Sequence, residues 1–460
     1  MELIAALATP PGASALGVLR LSGDGARAAA EKLLRLKSAE GWLPRKALVA
    51  EALADGEVLD EVVAVYFPGP STATGEDLLE ITAHGSPLIL RRLLAAAFAA
   101  GARPAAPGEF TQRGFLNGRL DLSQAEAVGD LIRARTDEAR RRALRQLRGG
   151  LSDEIARLRR PLLELLVRLE AGLDHPEEDL PPLSRETAAK VCGEISRAAR
   201  RLADTHRDGR LLHDGARLAI VGRPNAGKSS LLNALLGRDR AIVCPTPGTT
   251  RDTLEEPWEV GGAPALLIDT AGLGDAPEGP AEKAGMQRSL RALEGADLAI
   301  LVVDRSKTPG PEDEEVHARI AETAARLGTP LLRVLNKCDL PPPRPEDAPW
   351  ENGPLSVSAL TGSGLDRLHG EISRGLALEK SKAEPILVAS QRQAEALLGA
   401  AQALAEAEGA AAGTLDPALP WEDRTASGLR DGFRRLGDIV GEGTPEQVLH
   451  EIFSRFCIGK

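Results

Sequence analysis

The sequence predicts a protein of class α/β plus α, in which an α/β domain is inserted in an α-helical bundle domain and an α+β domain precedes both. Three changes in the hydrophobic pattern support this prediction. Short strand-like runs separated by glycine and proline fill the first 118 residues, helical periodicity begins at Ser123, and apolar strands alternate with helices from about residue 215. The 460 residues are enough for about three domains. We expect boundaries at 1–118, 119–214, 215–376 and 377–460, the second and fourth segments forming one helical domain.

The first domain is predicted to contain several strands and one helix. Strand-like runs cover Gly17–Leu21, Asp60–Phe67 and Asp77–Thr82, each bounded by turn residues. Residues 87–100 follow a helical pattern that stops at Gly101.

Long helices are predicted on both sides of the α/β segment. Ser123-Gln-Ala-Glu126 fits a capping box, and one helix is expected from there to Gly149. Two further helices are expected at about 151–172 and 184–208. The last helix should start at Thr444-Pro-Glu-Gln447, with the threonine as its cap and the proline at the first helical position.

Composition narrows the class of protein. The formal charge of −10 argues against a partner held by overall positive charge. Four widely spaced cysteines (Cys192, Cys244, Cys338 and Cys457) argue against a zinc site or a disulfide framework and fit a reducing compartment. No apolar run approaches the roughly 18 residues of a membrane span. We therefore expect a cytoplasmic protein without a membrane segment.

Residues Gly222-Arg-Pro-Asn-Ala-Gly-Lys-Ser229 match the phosphate-loop pattern G-x-x-x-x-G-K-[ST]. They follow a predicted strand, Leu218–Val221, and open a predicted helix, Ser229–Leu236. The glycines let backbone amides wrap phosphates, Lys228 meets the β- and γ-phosphates, and Ser229 ligates Mg²⁺. A chance glycine-rich turn is the alternative interpretation.

Three further motifs follow in the order expected for a guanine-nucleotide site. Asp269-Thr-Ala-Gly272 ends a strand, where its carboxylate can hold Mg²⁺ through water and its glycine amide can meet the γ-phosphate. Asn336-Lys-Cys-Asp339 ends another strand, and Asp339 can accept the N1–H and the exocyclic amine that guanine offers and adenine does not. Ser358-Ala359 lies where a backbone amide would meet the guanine O6. The set predicts a Ras-like domain that binds GTP rather than ATP.

The segment Pro247-Gly-Thr-Thr-Arg-Asp252 should contain the threonine that closes over Mg²⁺ and the γ-phosphate; Thr250 is the candidate and Thr249 the competitor. Leu273 follows the Asp-x-x-Gly motif, where Ras-type enzymes use a glutamine to orient water. Either this GTPase is a slow switch, or another residue and another cation orient the water and stabilise the charge. Arg251 is the nearest arginine that could serve as an arginine finger from within the same chain.

These motifs, with others along the chain, resemble the MnmE (TrmE) tRNA-uridine modification GTPases. The resemblance runs from end to end. It is carried by Ala8-Thr-Pro-Pro-Gly12, Leu19-Arg-Leu-Ser-Gly23, Thr74-Gly-Glu-Asp77, His84-Gly85, Pro107-Gly-Glu-Phe110, Gly222–Ser229, Gly248-Thr-Thr-Arg-Asp252 and the terminal Phe456-Cys-Ile-Gly-Lys460.

The resemblance implies a folate-binding, dimerising N-terminal domain and a G domain that hydrolyses GTP with stimulation by potassium. It implies that Asn225, Lys228 and Glu282 are catalytic, with Glu278 as the alternative to Glu282. The implied Mg²⁺ ligands are Ser229 and Thr250. The implied K⁺ ligands are Asn225, Cys244, Thr246 and Thr249. The full implied GTP-binding set is Asn225, Ala226, Gly227, Lys228, Ser229, Ser230, Cys244, Pro245, Thr246, Pro247, Gly248, Thr249, Thr250, Asp269, Thr270, Ala271, Gly272, Asn336, Lys337, Asp339, Ser358 and Ala359.

The family further implies a site for 5-formyltetrahydrofolate or another tetrahydrofolate one-carbon derivative, formed by Arg20, Glu80, Arg119 and Lys460, with Cys457 important for the modification chemistry. A packing thiol is the alternative for Cys457. The implied partner is an MnmG-family protein that carries FAD, in a heterotetramer built on a homodimer. Together they would add a carboxymethylaminomethyl-type group to C5 of the wobble uridine of tRNA.

Two other functions compete with this one. An Era/Der-class ribosome-assembly GTPase would need a basic RNA-binding domain after the G domain, where this chain is Ala/Glu-rich and helical. A membrane-remodelling GTPase would need a lipid-binding signal. The ten arginines between Arg133 and Arg160 could face tRNA, or could belong to a solvated helix face balanced by nearby acids.

Overall fold

The computed structural model describes residues 1–38, 41–174, 183–238, 255–269, 290–341, 355–376, 378, 388–414 and 420–460. The chain forms two compact units, one made of Met1–Ile132, Leu144–Ser196 and Gly399–Lys460, the other of Arg133–Ala143 and Arg197–Leu398. Within the described ranges, no helix is both long and apolar enough to cross a bilayer.

The N-terminal part of the first unit is a seven-stranded sheet with helices. The strands are β1 Ile4–Leu7, β2 Leu16–Ser22, β3 Leu34–Leu36, β4 Leu48–Ala54, β5 Glu57–Phe67, β6 Leu78–His84 and β7 Arg103–Pro104, in the order β3-β4-β5-β6-β2-β1-β7. Neighbours are antiparallel except β1 and β7. Leu33, Leu90 and Leu93 pack against Leu19 and Ile81 of the sheet in one apolar core.

Three helices accompany this sheet: α1 Ala26–Leu33, α2 Pro87–Ala99 and α3 Glu109–Leu116. The helix expected at residues 87–100 is confirmed as α2, and the structure adds α1 and α3. The two missed helices have eight residues each and begin after glycines with left-handed backbone, Gly25 and Gly108. Such short segments between turns carry too few residues to show a helical period.

Five helices follow: α4 Leu122–Arg133, α5 Asp137–Leu147, α6 Gly150–Asp174, α7 Arg185–Asp204 and α8 His206–Asp214. The single helix expected from Ser123 to Gly149 is two, because the Thr136 hydroxyl accepts the Ala139 N–H at 3.2 Å and caps a new start. The helix expected at 184–208 is also two, with Thr205 between them donating to the Leu202 carbonyl at 2.7 Å.

The predicted cap of α4 was wrong by two residues. The capping box consists of Asp121 and Gln124, each side chain accepting the other residue's backbone N–H at 2.9 Å. Ser123 instead is fully buried and lies 3.3 Å from the Gln146 amide nitrogen.

The α/β part of the second unit is a six-stranded sheet in the order β13-β12-β11-β8-β10-β9. Its strands are β8 Ala216–Val221, β9 Glu255–Val260, β10 Ala263–Asp269, β11 Leu298–Asp304, β12 Leu331–Asn336 and β13 Leu355–Ser356; the helices are α9 Lys228–Arg238, α10 Pro311–Leu327 and α11 Leu365–Gly375. All neighbours are parallel except β9 with β10. Leu218 and Ile220 enter one core while Ala219 and Val221 enter the other, so both faces of the sheet are covered.

Three helices follow, α12 Gln391–Ala412, α13 Trp421–Val440 and α14 Glu446–Ser454, and the chain returns to the first unit at Gly399, within α12. The Ser196 hydroxyl donates to the Ala401 carbonyl at 2.7 Å, which joins α7 to α12. The Arg159 guanidinium on α6 lies 4.1 Å from the Phe433 ring centre on α13. An α/β domain thus interrupts a helical one, which confirms the predicted fold class.

The start of α14 differs from its prediction. The helix begins at Glu446 after Pro445, and the Thr444 hydroxyl is buried without a hydrogen bond to any described residue. The Val448 and Leu449 N–H groups donate to the Pro445 carbonyl. The predicted threonine cap at Thr444 was wrong.

Candidate functional site

The phosphate loop connects the end of β8 to the start of α9 and has a shape that requires its two motif glycines. Gly222 and Gly227 have φ of 141° and 90°. A Cβ at Gly222 would lie 2.4 Å from the Val302 carbonyl oxygen, and one at Gly227 would lie 2.2 Å from the Asn336 amide nitrogen. Asn225 is also left-handed, with φ of 62°. The loop therefore lies in close contact with the Val302 backbone and the Asn336 side chain, and its left-handed glycines suit a phosphate cradle at a helix N-terminus.

Lys228 lies at the start of α9 and is 7% exposed. Its ammonium donates to the Arg223 carbonyl at 2.8 Å, so it crosses the loop from one end to the other. Ser229 and Ser230 are exposed on the first turn of the same helix. This arrangement puts a positive charge and two hydroxyls at the mouth of the loop, where phosphates and a hard cation would bind.

Asn336 brings three of the predicted motifs together. The side chain is 1% exposed. Its amide donates to the Ala226 carbonyl at 3.0 Å, and its amide oxygen accepts the Ala359 N–H at 3.1 Å. One residue therefore holds the phosphate loop and the Ser358-Ala359 loop at fixed positions.

Lys337 makes a second connection to the phosphate loop. Its ammonium donates to the Asn225 carbonyl at 2.8 Å and pairs with the Asp304 carboxylate at 2.7 Å. Burial opposes ionisation of Asp304, but hydrogen bonds from Lys337 and Ser306 outweigh it and hold the pKa of the carboxyl below its ordinary value. Asp304 therefore stays charged at neutral pH and keeps Lys337 in place.

Asp339 is exposed at the end of the same loop and is available to a base. The Ser358 hydroxyl, which is fully buried, donates to its Oδ1. The Cys338 N–H donates to the Val357 carbonyl at 3.1 Å, which joins the two guanine-specific segments. Such a carboxylate, oriented before ligand arrives, is what guanine N1–H and amine donors need.

Part of the predicted nucleotide set lies outside the described residues. Asp269 ends β10, directly across from Ile220 of β8, so the Asp-x-x-Gly motif starts beside the strand that leads into the phosphate loop. The predicted residues outside the described ranges are Cys244, Pro245, Thr246, Pro247, Gly248, Thr249, Thr250, Thr270, Ala271, Gly272, Glu278 and Glu282. Their predicted roles stay predictions.

In the N-terminal domain, Arg20 and Glu80 form one group with the C-terminal segment. They face each other across β2 and β6, and the guanidinium donates to Glu80 Oε1 at 2.9 and 2.6 Å. Arg20 also donates to the Gly459 carbonyl at 3.4 Å, next to Lys460. Gly459 has φ of 92°, and a Cβ there would lie 2.4 Å from the Leu7 carbonyl oxygen.

The other predicted residues of this domain are placed differently. The Arg119 guanidinium donates to the Thr72 carbonyl at 3.1 Å, on another segment from the Arg20–Glu80 pair. Cys457 is an exposed free thiol, and its carbonyl accepts the Gly108 N–H at 3.4 Å. The structure thus groups Arg20, Glu80 and the residue before Lys460, and the exposure of the Cys457 thiol argues against the packing alternative.

Two motif carboxylates meet at a residue that sequence analysis did not select. Arg113 is 4% exposed and pairs with Glu76 and Glu109, each at 2.9 Å. Burial opposes ionisation of Glu109, but bonds from Arg103, the Ala106 N–H and Arg113 lower its pKa to about 2. The Thr74-Gly-Glu-Asp77 and Pro107-Gly-Glu-Phe110 motifs therefore include a buried ion-pair network, which only a long-range contact could reveal.

The ten arginines between Arg133 and Arg160 lie mostly beside acids. Pairs with neighbouring carboxylates join Arg140 and Arg141 to Asp137, Arg142 to Glu138, Arg157 to Glu154, Arg159 to Glu442 and Arg160 to Glu164. This charge balance favours the solvated-face interpretation over a tRNA-facing surface.

Comparison with known proteins gives the family. The family model for the GTP-binding protein TrmE N-terminus matches residues 3–119, and that for the MnmE helical domain matches residues 122–457. The tRNA modification GTPase MnmE of Symbiobacterium thermophilum is 43% identical, with 100% of this chain and 99% of that protein covered. The chain belongs to the MnmE family of tRNA modification GTPases.

Two further MnmE relatives agree in length and name. The tRNA modification GTPase MnmE of Thermus thermophilus is 43% identical over 99% of both chains, and that of Aquifex aeolicus is 41% identical over 100% of both. Membership of the MnmE family confirms the predicted enzyme class, a GTP hydrolase of tRNA modification. It favours this function over the ribosome-assembly and membrane-remodelling alternatives.

Proposed function

We propose that this MnmE-family GTPase is stimulated by potassium and acts with an MnmG-family FAD protein. Together they would use a tetrahydrofolate one-carbon unit to add a carboxymethylaminomethyl-type group to C5 of the wobble uridine of tRNA. The observation that carries the GTPase part is the meeting of the phosphate loop and both guanine loops at Asn336. The proposed assembly is a homodimer with the FAD protein, in a cytoplasmic heterotetramer.

The residues around the phosphate loop fit GTP and its cations. Hydrolysis requires attack of water on the γ-phosphorus and cleavage of its bond to the β–γ bridging oxygen. Lys228 and the loop amides are positioned to hold the β- and γ-phosphates, and Asp339 to select guanine. The exposed Ser229 hydroxyl and the Asn225 side-chain oxygen are the donor types that Mg²⁺ and K⁺ take. Bound cations would add positive charge beside the phosphates, and Glu282 would orient the water.

The Arg20–Glu80 pair supports the folate part of the proposal. A carboxylate can accept the paired N–H groups of a pterin, and a guanidinium can bind a glutamate tail or stack on the ring. Arg20 and Glu80 are half-buried and already aligned across two strands. Lys460 would supply a second cation from the C-terminal segment, and Arg119 a third from the Thr72 side.

Nucleoside analysis of tRNA tests the whole proposal. A strain lacking this chain should lose the C5-modified wobble uridine, and the wild-type chain should restore it. A chain carrying Arg20→Met should not restore it, although its basal GTP hydrolysis should be unchanged. Normal wobble-uridine modification in the deletion strain would refute the proposal.

Hydrolysis rates in potassium and in sodium, at equal ionic strength, test the cation. We expect the rate in potassium to exceed that in sodium by about tenfold or more, because a fixed cation stabilises phosphoryl charge. Equal hydrolysis rates in the two salts would refute the potassium-binding role proposed for Asn225 without contradicting the proposed guanine site.

A further inference from the structure

Arg223 is the second residue of the phosphate loop, and its side chain pairs with acids of a neighbouring helix. Its guanidinium pairs with the Asp313 carboxylate at 2.8 Å and with Glu312 at 3.3 Å, both in the first turn of α10. Its own carbonyl accepts the Lys228 ammonium at 2.8 Å. Arg223 therefore links the phosphate loop to a neighbouring helix through its side chain and to Lys228 through its carbonyl.

The Asp313 carboxylate, which pairs with Arg223, is itself held in place by the start of α10. One carboxylate oxygen accepts the Gly310 N–H at 2.8 Å and so caps α10, while the other accepts from Arg223. Burial opposes its ionisation, but these two bonds outweigh it and the pKa of Asp313 lies below its ordinary value. The carboxylate is charged at neutral pH and is tied to a helix start, which makes it a rigid anchor.

We propose that Arg223 is a positioning residue for GTP hydrolysis, in which the Arg223–Asp313 ion pair anchors the first half of the phosphate loop to α10. The Arg223 carbonyl would fix the position of the Lys228 ammonium. The anchored backbone would also fix the left-handed conformation of Asn225, two residues further on. The Asn225 part rests on the proposed potassium role, whereas the Lys228 part does not. Groups that act in a transition state must be held to a fraction of an ångström, so the loss of the anchor should reduce kcat.

A purely structural role makes a different prediction. Both partners are about one-quarter to one-third exposed, and an ion pair at that exposure contributes only ~0–1 kcal/mol to the free energy of unfolding. Such a pair would change the melting temperature slightly and leave kcat and KM alone. A fall in kcat without a fall in melting temperature separates the two roles.

The test is a double-mutant cycle in the full-length chain, with kcat, KM for GTP and melting temperature measured for each variant. Arg223→Met keeps the length of the side chain and removes its charge. We expect kcat to fall about tenfold with KM within about twofold, because the loop amides and Asp339 still bind the ground state. Arg223→Lys should recover part of the rate, and the double variant with Asp313→Asn should be no slower than Arg223→Met alone.

Arg374→Met is the matched control, since Arg374 also pairs with a carboxylate on a helix surface of this unit, Glu371, far along the chain from the loop. Its kcat should match that of the wild type. A kcat within twofold for Arg223→Met, or losses that multiply in the double variant, would overturn the proposal. If Arg223→Met does not fold, the same cycle is measured with Arg223→Lys in its place. The kcat values of Arg223→Lys, Asp313→Asn and their double variant then decide the same question. The cycle repeated in sodium keeps this test separate from failure of the potassium role.

Discussion

The nucleotide site and the Arg20–Glu80 site are assembled in opposite ways. The phosphate loop is eight consecutive residues whose shape depends on two glycines and one lysine. Asn336 then connects the guanine-specific motifs to this loop through a hydrogen bond to the Ala226 carbonyl. The N-terminal site joins residues 20 and 80 to a carbonyl 439 positions away. The comparison shows that a site made of contiguous backbone can be recognised from its own motif, whereas one made of distant side chains was recognised only through the resemblance to a family.

The sharpest way to separate the two sites is Lys228→Met. If the Lys228 ammonium binds the β- and γ-phosphates as proposed, its removal should lower kcat for GTP hydrolysis by about 1,000-fold, the upper range for loss of one fixed electrostatic donor. Binding of 5-formyltetrahydrofolate, measured by calorimetry, should be unchanged. Lys190→Met, which alters an exposed lysine on α7, is the control. A parallel loss of folate binding would show that the two sites are not independent.

The buried network beside the N-terminal site should give that domain a distinct acid sensitivity. The folded-state pKa of Glu109 is about 2, below the ordinary value of 4.5, so its stabilisation is complete above about pH 4.5 and is lost as the pH falls toward 2. Glu109→Gln should lower the free energy of unfolding at pH 7 by about 3 kcal/mol, and the gap from wild type should close as the pH falls from about 4.5 to about 2.

Chemical denaturation of the full chain across that pH range checks this expectation. Glu31→Gln is the control, because Glu31 forms an exposed i,i+4 pair with Arg27 and should change stability by less than ~1 kcal/mol. A gap for Glu109→Gln that stays constant with pH would mean that its pairing with Arg113 and Arg103 does not stabilise the fold.

The smallest expected effect tests whether the C-terminal segment belongs to the N-terminal site. Gly459→Ala places a Cβ 2.4 Å from the Leu7 carbonyl oxygen and must move the segment off Arg20. We expect folate affinity to fall about tenfold, since strain of roughly 1–3 kcal/mol accompanies such a residue. Gly443→Ala is the matched control, with φ of 71° and open space around its Cβ position. Equal folate affinity in both variants would show that the C-terminal segment is not part of the N-terminal site.

Sequence patterns predicted the fold class and the main nucleotide elements because both depend on local signals. The strand before Gly222, the helix after it and the strands before Asp269 and Asn336 are all present. Breaks at Thr136 and Thr205 were missed because each depends on the contacts of one residue: the Thr136 hydroxyl caps the start of α5, and the Thr205 hydroxyl donates to the Leu202 carbonyl at the end of α7. A continuous helical period in the sequence does not reveal such contacts.

The site residues divide in the same way. Lys228 and Asp339 follow from motifs, whereas Arg223 occupies a variable position of the phosphate-loop pattern and Asp304 ends β11, outside the motifs. Only the fold shows that their partners are Asp313 and Lys337. The pairing of Arg20 with Glu80 needed strand register, which no propensity supplies.

The helical domain has a consequence for how the chain matures during translation. The Ser196 hydroxyl and the Ala401 carbonyl are 205 positions apart, and the partners of Arg159, Phe433 and Glu442, lie near the end of the chain. At about 5–20 residues per second, the synthesis of one partner follows that of the other by about ten seconds to about one minute. The inserted domain, whose strands are complete by residue 356, can therefore fold on the ribosome before α6 and α7 meet their partners. Until then those two helices lack the partners that they contact in the folded chain, and transiently unpartnered apolar surface favours aggregation.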